Sequence, residues 1–163
     1  MVNFYSFRGT VTMISDFTVS TTGEEQGCYQ LMAVEDGSGS MVNFVVSPTT
    51  YFLDHAQVSV GDVVTGYYDG NAPVPLIYPP QYRALIIVKD NPAQNVKVDY
   101  FNAQLVSSDG MLRLTPSPYT PRLLANGQPF PGNPAERNLI VVYGPATMSI
   151  PAQTTPYRIV VWC

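Results

Sequence analysis

The sequence predicts an all-β protein made of two related small barrels, and three observations carry that expectation. Residues that suit a pleated, half-buried surface are abundant, among them 11 Tyr, 7 Phe and many Val and Thr. Fifteen Pro and twelve Gly supply the punctuation that many short strands need. The two halves of the chain also overlay on one another. Hydrophobic residues make up 45%, enough for a real core, whereas charged residues make up only 12%, about half the usual share. That balance argues against disorder, which needs low hydrophobicity and high charge. It argues equally against long surface helices. A length of 163 residues suits one domain or two small ones.

Strand-like runs follow in order. Residues 4–14 form a long run with Gly9 inside it, where a glycine signals a bulge or bend. Runs at 28–35 and 41–46 flank Asp36-Gly37-Ser38-Gly39-Ser40, which reads as a hairpin with a glycine-rich loop. Residues 47–57 have room for one helical turn at most. Gly61-Asp62 then feeds a strand within 58–68, and 84–89 is a short apolar strand. A long bent strand, a hairpin, a connector and two closing strands is the order of an OB-like five-stranded barrel, which removes exposed sheet edges. A small β-sandwich would leave a similar trace. Residues 1–90 are therefore expected to be one OB-like unit, 91–95 a polar linker, and 96–163 a second, shorter or degenerate unit packed on the first. Strands are expected there at 96–101, 104–107, 111–115, 139–143 and 158–162, with turns at Asp109-Gly110 and, after a short run at 123–125, at Asn126-Gly127. Residues 129–136 read as a proline-rich loop.

The repeat is specific. A shift of 70 pairs Ser38 with Ser108, Met41 with Met111, Ser47-Pro48 with Ser117-Pro118, Thr50 with Thr120 and Leu53 with Leu123. A shift of 72 pairs Pro79 with Pro151, Gln81 with Gln153, and Ile87-Val88 with Ile159-Val160; between these sets Tyr68 answers Tyr143. The order is preserved throughout, and two copies are too few for a solenoid. The repeated element is a strand, a proline-rich crossing and another strand. Proline fixes φ and donates nothing to a ladder, so such a crossing belongs on an edge or across a barrel end. Tyr78, Pro79, Gln81, Pro151 and Gln153 are the candidate binding residues on these segments. For Gln81 and Gln153 the architectural reading is preferred over ligand contact: their amides would satisfy backbone groups that the prolines leave unpaired.

The segments GDVVTGYYDGNAPVPLIYPPQY and NLIVVYGPATMSIPAQTTP resemble an uncharacterised family of bacterial β-modules with paired proline motifs. Similar modules occur in secreted proteins beside domains like the N-terminal domain of copper amine oxidases. The resemblance implies a β-module, assigns no activity and carries over no site residue.

No constellation specifies a reaction. His55 is the sole histidine and no G-x-S-x-G motif accompanies it, so a triad has no support. Asp54, His55 and Asp62 are close in sequence but lack metal-ligand spacing, and neither a metal nor a cofactor is expected. The loop 36–40 opens into a strand rather than a helix and carries no lysine, unlike a phosphate loop. Glu24, Glu25, Glu35 and Asp36 read as solvated loop carboxylates rather than a glycosidase pair. Pro79-Pro80-Gln81-Tyr82 matches the P-P-x-Y pattern read by WW domains, and 73–80 mimics an SH3 ligand, but flanking strands favour architecture. Cys28 and Cys163 are too few for a disulfide scaffold; the reading is two reduced thiols, one of them buried, with a bridge between them left open.

A net charge of −4 and only eight scattered Lys and Arg argue against nucleic acid, which demands a basic footprint. No apolar run is long enough to insert in a membrane. The start of the chain lacks signal-peptide character, which points to the cytoplasm, while the exported relatives leave an exported domain open. The functional expectation is a non-enzymatic binding or scaffold module for a protein or glycan. An OB-type single-stranded nucleic-acid binder is the alternative, favoured if Tyr and Phe flank Arg83 or Arg113. An exposed apolar patch around Leu76-Ile77-Tyr78 or Met148-Ser149-Ile150 would favour the first reading.

Overall fold

The computed structural model describes residues 1–18, 23 and 26–163, and among them the protein is all-β apart from one 3-10 turn at Leu53–His55. Glu24 and Glu25 lie outside the described residues. The chain divides into two compact units, Met1–Asp90 and Asn91–Cys163.

In the first unit β1 (Phe4–Asp16) serves two neighbours. Its first half, Phe4 to Thr10, runs antiparallel to β5 (Val63–Asp69); its second half runs antiparallel to β2 (Gln30–Glu35). Register slips between Val11 and Met13, so the bend expected at Gly9 falls at Thr12. Gly9 instead permits close strand approach, because a Cβ there would run into the Glu35 carbonyl of the adjoining strand. The hairpin from β2 to β3 (Met41–Val46) turns on Asp36, whose Oδ1 accepts the N–H groups of Ser38 (2.9 Å) and Ser40 (3.0 Å) and the Ser38 hydroxyl (2.8 Å). Those donors, the Ser38 hydroxyl foremost, hold the Asp36 carboxyl below the usual carboxylate range.

The sheet then closes on itself. β6 (Gln81–Arg83) pairs in parallel with β3, and β7 (Ile86–Lys89) pairs antiparallel with β5 and parallel with β4 (Tyr51–Phe52). The two residues between them switch sides. Ala84 N–H donates to Val45 (3.0 Å) and Leu85 N–H to Tyr67 (2.8 Å), so one stretch of chain links β3 to β5. Val11, Met32, Val34, Phe44, Val64 and Ile87 fill the interior. Phe44 fits because β5 carries Gly66 beneath it; a Cβ on Gly66 would strike the Phe44 ring.

In the second unit β8 (Asn95–Phe101), β11 (Arg137–Tyr143) and β13 (Arg158–Val161) form an antiparallel run, with β10 (Arg122–Leu124) parallel to β13. Asn95, read from sequence as linker, opens β8 opposite Tyr143. β9 (Leu112–Leu114) pairs in parallel with β12 (Ala152–Thr154). The strand expected at 104–107 shrinks to single bridges, Phe101 to Ser107 and Val106 to Arg113, around Leu105 at positive φ. Phe101, Leu112, Leu114, Leu139, Val141 and Ile159 make this unit's own core.

The two units share register detail. Asn43 faces Gln81 and Arg113 faces Gln153 in their parallel ladders. Phe52 faces Ile87 and Arg122 faces Ile159 in the other parallel pair. Ser47 N–H donates to Thr50 Oγ1 at 3.0 Å, and Ser117 N–H donates to Thr120 Oγ1 at 3.0 Å.

Candidate functional site

The proline crossings are loops that leave one strand and return as another. In the first unit residues 70–80 connect β5 to β6; in the second, residues 144–151 connect β11 to β12. Both expose large apolar side chains: Leu76 and Met148 are completely exposed, Tyr78 is 79% exposed and Ile150 80%. The bonds Tyr78–Pro79 and Ile150–Pro151 are both cis, and both prolines are half-buried.

The loop bases are tied by local donors. Asp69 Oδ1 accepts the N–H groups of Asn71 (3.0 Å) and Asn3 (3.1 Å), and these two bonds hold its carboxyl below the usual range. In the second loop Gln153 N–H donates to Thr147 Oγ1 (2.9 Å), Thr147 N–H to the Gln153 carbonyl (3.0 Å), Ser149 Oγ to the Pro151 carbonyl (2.9 Å) and Thr154 Oγ1 to the Pro145 carbonyl (2.8 Å). Main chain and hydroxyls therefore satisfy the groups that the sequence assigned to the glutamine amides. Among the described residues neither the Gln81 nor the Gln153 amide makes a hydrogen bond. The staple role falls to Thr147, Ser149 and Thr154, because β12 engages Gln153 through its backbone.

Beside the first loop lies a cleft of about 460 Å³. Residues 72–75, Tyr68, Asp69, Gln81, Tyr82 and Arg83 line it, together with Tyr29 and Val45. Tyr68 and Tyr82 are stacked, centroids 3.9 Å apart and planes within 6°. Tyr5 meets Tyr68 edge-on at 6.0 Å, and Phe44 approaches it at 6.2 Å. Burial, then the hydrogen bond with Tyr82, pushes the Tyr68 phenol up to about 12. Gln81 is half-buried and Arg83 exposed, and neither has a polar or ionic side-chain partner among the described residues.

The second unit has a cleft at the corresponding place, about 590 Å³, lined by Thr115, Thr147, Gln153, Thr154, Thr155 and the turn at 145–146. Gln153 stands where the first cleft has Gln81, and Thr154 and Thr155 stand where it has Tyr82 and Arg83. Of the sequence candidates, Gln81 and Gln153 line clefts; Tyr78 sits on an exposed loop, and Pro79 and Pro151 lie at loop ends. Sequence reading missed the pairing of Tyr68 with Tyr82. The available signal was a tyrosine at each end of the proline crossing.

Other candidates do not converge. His55 is exposed with its ring edge-on to Tyr51. Asp62 accepts the Ser59 N–H (2.9 Å) and pairs with Lys89 (3.3 Å), and these contacts lower its pKa. Among the described residues no three His, Cys, Asp or Glu side chains gather as metal ligands. Cys28 and Cys163 are both exposed, against the expectation of one buried thiol, and neither forms a disulfide. Among the described residues no helix is long and apolar enough to cross a membrane. No family model, curated protein or solved structure matches this chain.

Proposed function

We propose that this chain is a non-enzymatic binding module, two copies of one OB-like barrel, that engages a protein or glycan partner through its proline loops and the clefts beside them. The observation that carries the reading is the pair of exposed apolar loop tips. Leu76 and Met148 occupy corresponding positions, as do Tyr78 and Ile150, and all four are exposed. Water disfavours such clusters, and their usual purpose is contact with a partner. The shared ladder registers and the matching Ser-Pro turns support the two-copy reading. The resemblance to bacterial β-modules with paired proline motifs points the same way.

The test is binding of the full chain to arrays of peptides and glycans, beside the variants Leu76→Ser/Tyr78→Ser and Met148→Ser/Ile150→Ser. Partner binding that falls in either loop variant supports the module. Binding untouched by both variants removes the loops from the function.

One observation favours the alternative. Arg83 lies in the same cleft as the Tyr68–Tyr82 stack, an aromatic and cation pairing that single-stranded nucleic acid uses. Asp69 in that cleft and the net charge of −4 oppose it. Anisotropy with oligo-dT and oligo-rU decides: saturable binding that weakens with salt and with Arg83→Ala would establish it.

A further inference from the structure

We infer that the cleft of the first unit is a sugar-binding site for a neutral pyranoside, whose ring lies on Tyr82 and whose hydroxyls meet Gln81, Arg83 and Asp69. The inference rests on the binding-module reading and narrows its partner to a glycan at this cleft.

The size fits a small ligand group: about 460 Å³ lies at the lower end of ordinary ligand pockets. The aromatic geometry narrows the class. Tyr68 and Tyr82 are in face-to-face contact at 3.9 Å, so no slot is left between them for a proline ring or a base. A groove for polyproline peptides needs separated aromatic ridges, and this stack does not provide them. Tyr68 meets Tyr82, Tyr5 and Phe44, whereas among the described residues Tyr82 has Tyr68 as its ring partner; both rings are partly buried and also pack against the core. Tyr82 lines the cleft as a partly exposed ring, and a ligand with one apolar face would suit it.

The polar groups narrow it further. The Gln81 amide has two donors and an acceptor with no partner among the described residues. Arg83 offers a planar fork of donors that forms no ion pair among the described residues. Asp69 commits Oδ1 to two backbone N–H groups and retains Oδ2 as an acceptor. One carboxylate and one guanidinium leave the cleft nearly neutral, which offers little to a polyanion. A ring with an apolar C–H face and a rim of adjacent hydroxyls matches this set. The second cleft is a built-in control, because Thr154 and Thr155 replace the aromatic ring and the cation.

The test is calorimetric titration of the full chain with cellohexaose, mannohexaose, xylohexaose and chitohexaose, with the Gln81 side-chain amide followed by NMR. At least one sugar should bind and shift that amide. Tyr82→Ala should weaken it about tenfold or more and Arg83→Ala about threefold. Arg83→Ala and Gln81→Ala alter side chains that make no hydrogen bond or ion pair among the described residues, and they keep the test valid if Tyr82→Ala fails to fold. Absence of binding by all four sugars, or binding indifferent to Arg83→Ala and Gln81→Ala, overturns the inference. Oligo-dT binding that depends on Arg83, or proline-peptide binding in this cleft, also overturns it. If sugars fail while a protein partner binds through Leu76 and Tyr78, the glycan site falls and the module stands. If no partner of any class binds, both fall.

Discussion

The two units share one scheme of parallel pairs and fill it with different side chains. In each, a short parallel pair after a proline loop brings a glutamine opposite the strand that ends the hairpin region, Gln81 to Asn43 and Gln153 to Arg113. In each, the next strand joins the antiparallel run, with Ile87 opposite Gly66 and Ile159 opposite Val141. The backbone scheme is held while the contents diverge. The first unit places a phenylalanine over a glycine, Phe44 over Gly66; the second has Leu114 and Val141 at the corresponding positions, both buried. The clefts diverge in the same manner, aromatic and cationic in one, threonine-lined in the other. The ladder registers are shared, whereas core volume can be redistributed if its total is kept. Cleft lining is freer still, so that is where the units differ most.

The core swap gives the strongest way to break this comparison. Gly66→Val puts a branched side chain into the Phe44 ring and should destabilise by about 3 kcal/mol. Phe44→Leu alone leaves a void and should cost about 1–2 kcal/mol. If the positions correspond, the double variant recreates the Leu114–Val141 pairing and is more stable than Gly66→Val alone. Urea denaturation of the four proteins yields the coupling energy. Simple additivity would show that the two cores are not versions of one arrangement.

The Ser-Pro turns come next. Thr50 Oγ1 accepts the Ser47 N–H and donates to the Ala84 carbonyl at 2.8 Å. Thr120 Oγ1 accepts the Ser117 N–H and is itself buried. Replacement by valine keeps the shape and orphans these groups, so each variant should lose about 1–2 kcal/mol, Thr50→Val the more. Equal stability of Thr50→Val and wild type would mean that the bond across to Ala84 contributes nothing to closure.

How far the sequence revealed this differs by region. β2, β3 and β11 were legible because buried runs bounded by glycine or polar turns are local signals. β6 was not: Gln81 to Arg83 is three residues long, follows two prolines, and is a strand only because β3 supplies its partner. The side switch at Ala84 and Leu85, which closes the sheet, is likewise non-local. At the cleft, the residue types were visible but their company was not. Tyr68 and Tyr82 are separated by the whole proline loop and meet only because that loop returns the chain to β3. The glutamines were assigned from side-chain chemistry, and the backbone took the work instead.

The tyrosine stack provides a pH test confined to the first unit. Tyr68 titrates near 12 in the fold, above its ordinary value of 10.0, through burial and the hydrogen bond with Tyr82. A raised folded pKa means that the unfolded chain loses this proton first. The stabilisation is therefore complete below pH 10 and is lost as pH climbs toward 12. Because the ring is partly exposed, solvent screening keeps the effect modest. Tyr68→Phe should flatten the fall in melting temperature over that window relative to wild type. Identical profiles would show that the Tyr68 hydroxyl is not coupled to folding.

The smallest effect is expected at the glutamines and separates binding from architecture most cleanly. Neither amide bonds to another described residue, so Gln81→Ala and Gln153→Ala should each leave the melting temperature within about 1 °C of wild type, as surface changes away from special features do. Their effects on ligand should differ. Gln81 borders the tyrosine pair and its loss should weaken sugar binding, whereas Gln153 stands among threonines and its loss should not. A marked drop in melting temperature for either variant would return the amides to a structural role. A ligand effect of equal size in both would mean that the two clefts work together despite their different linings.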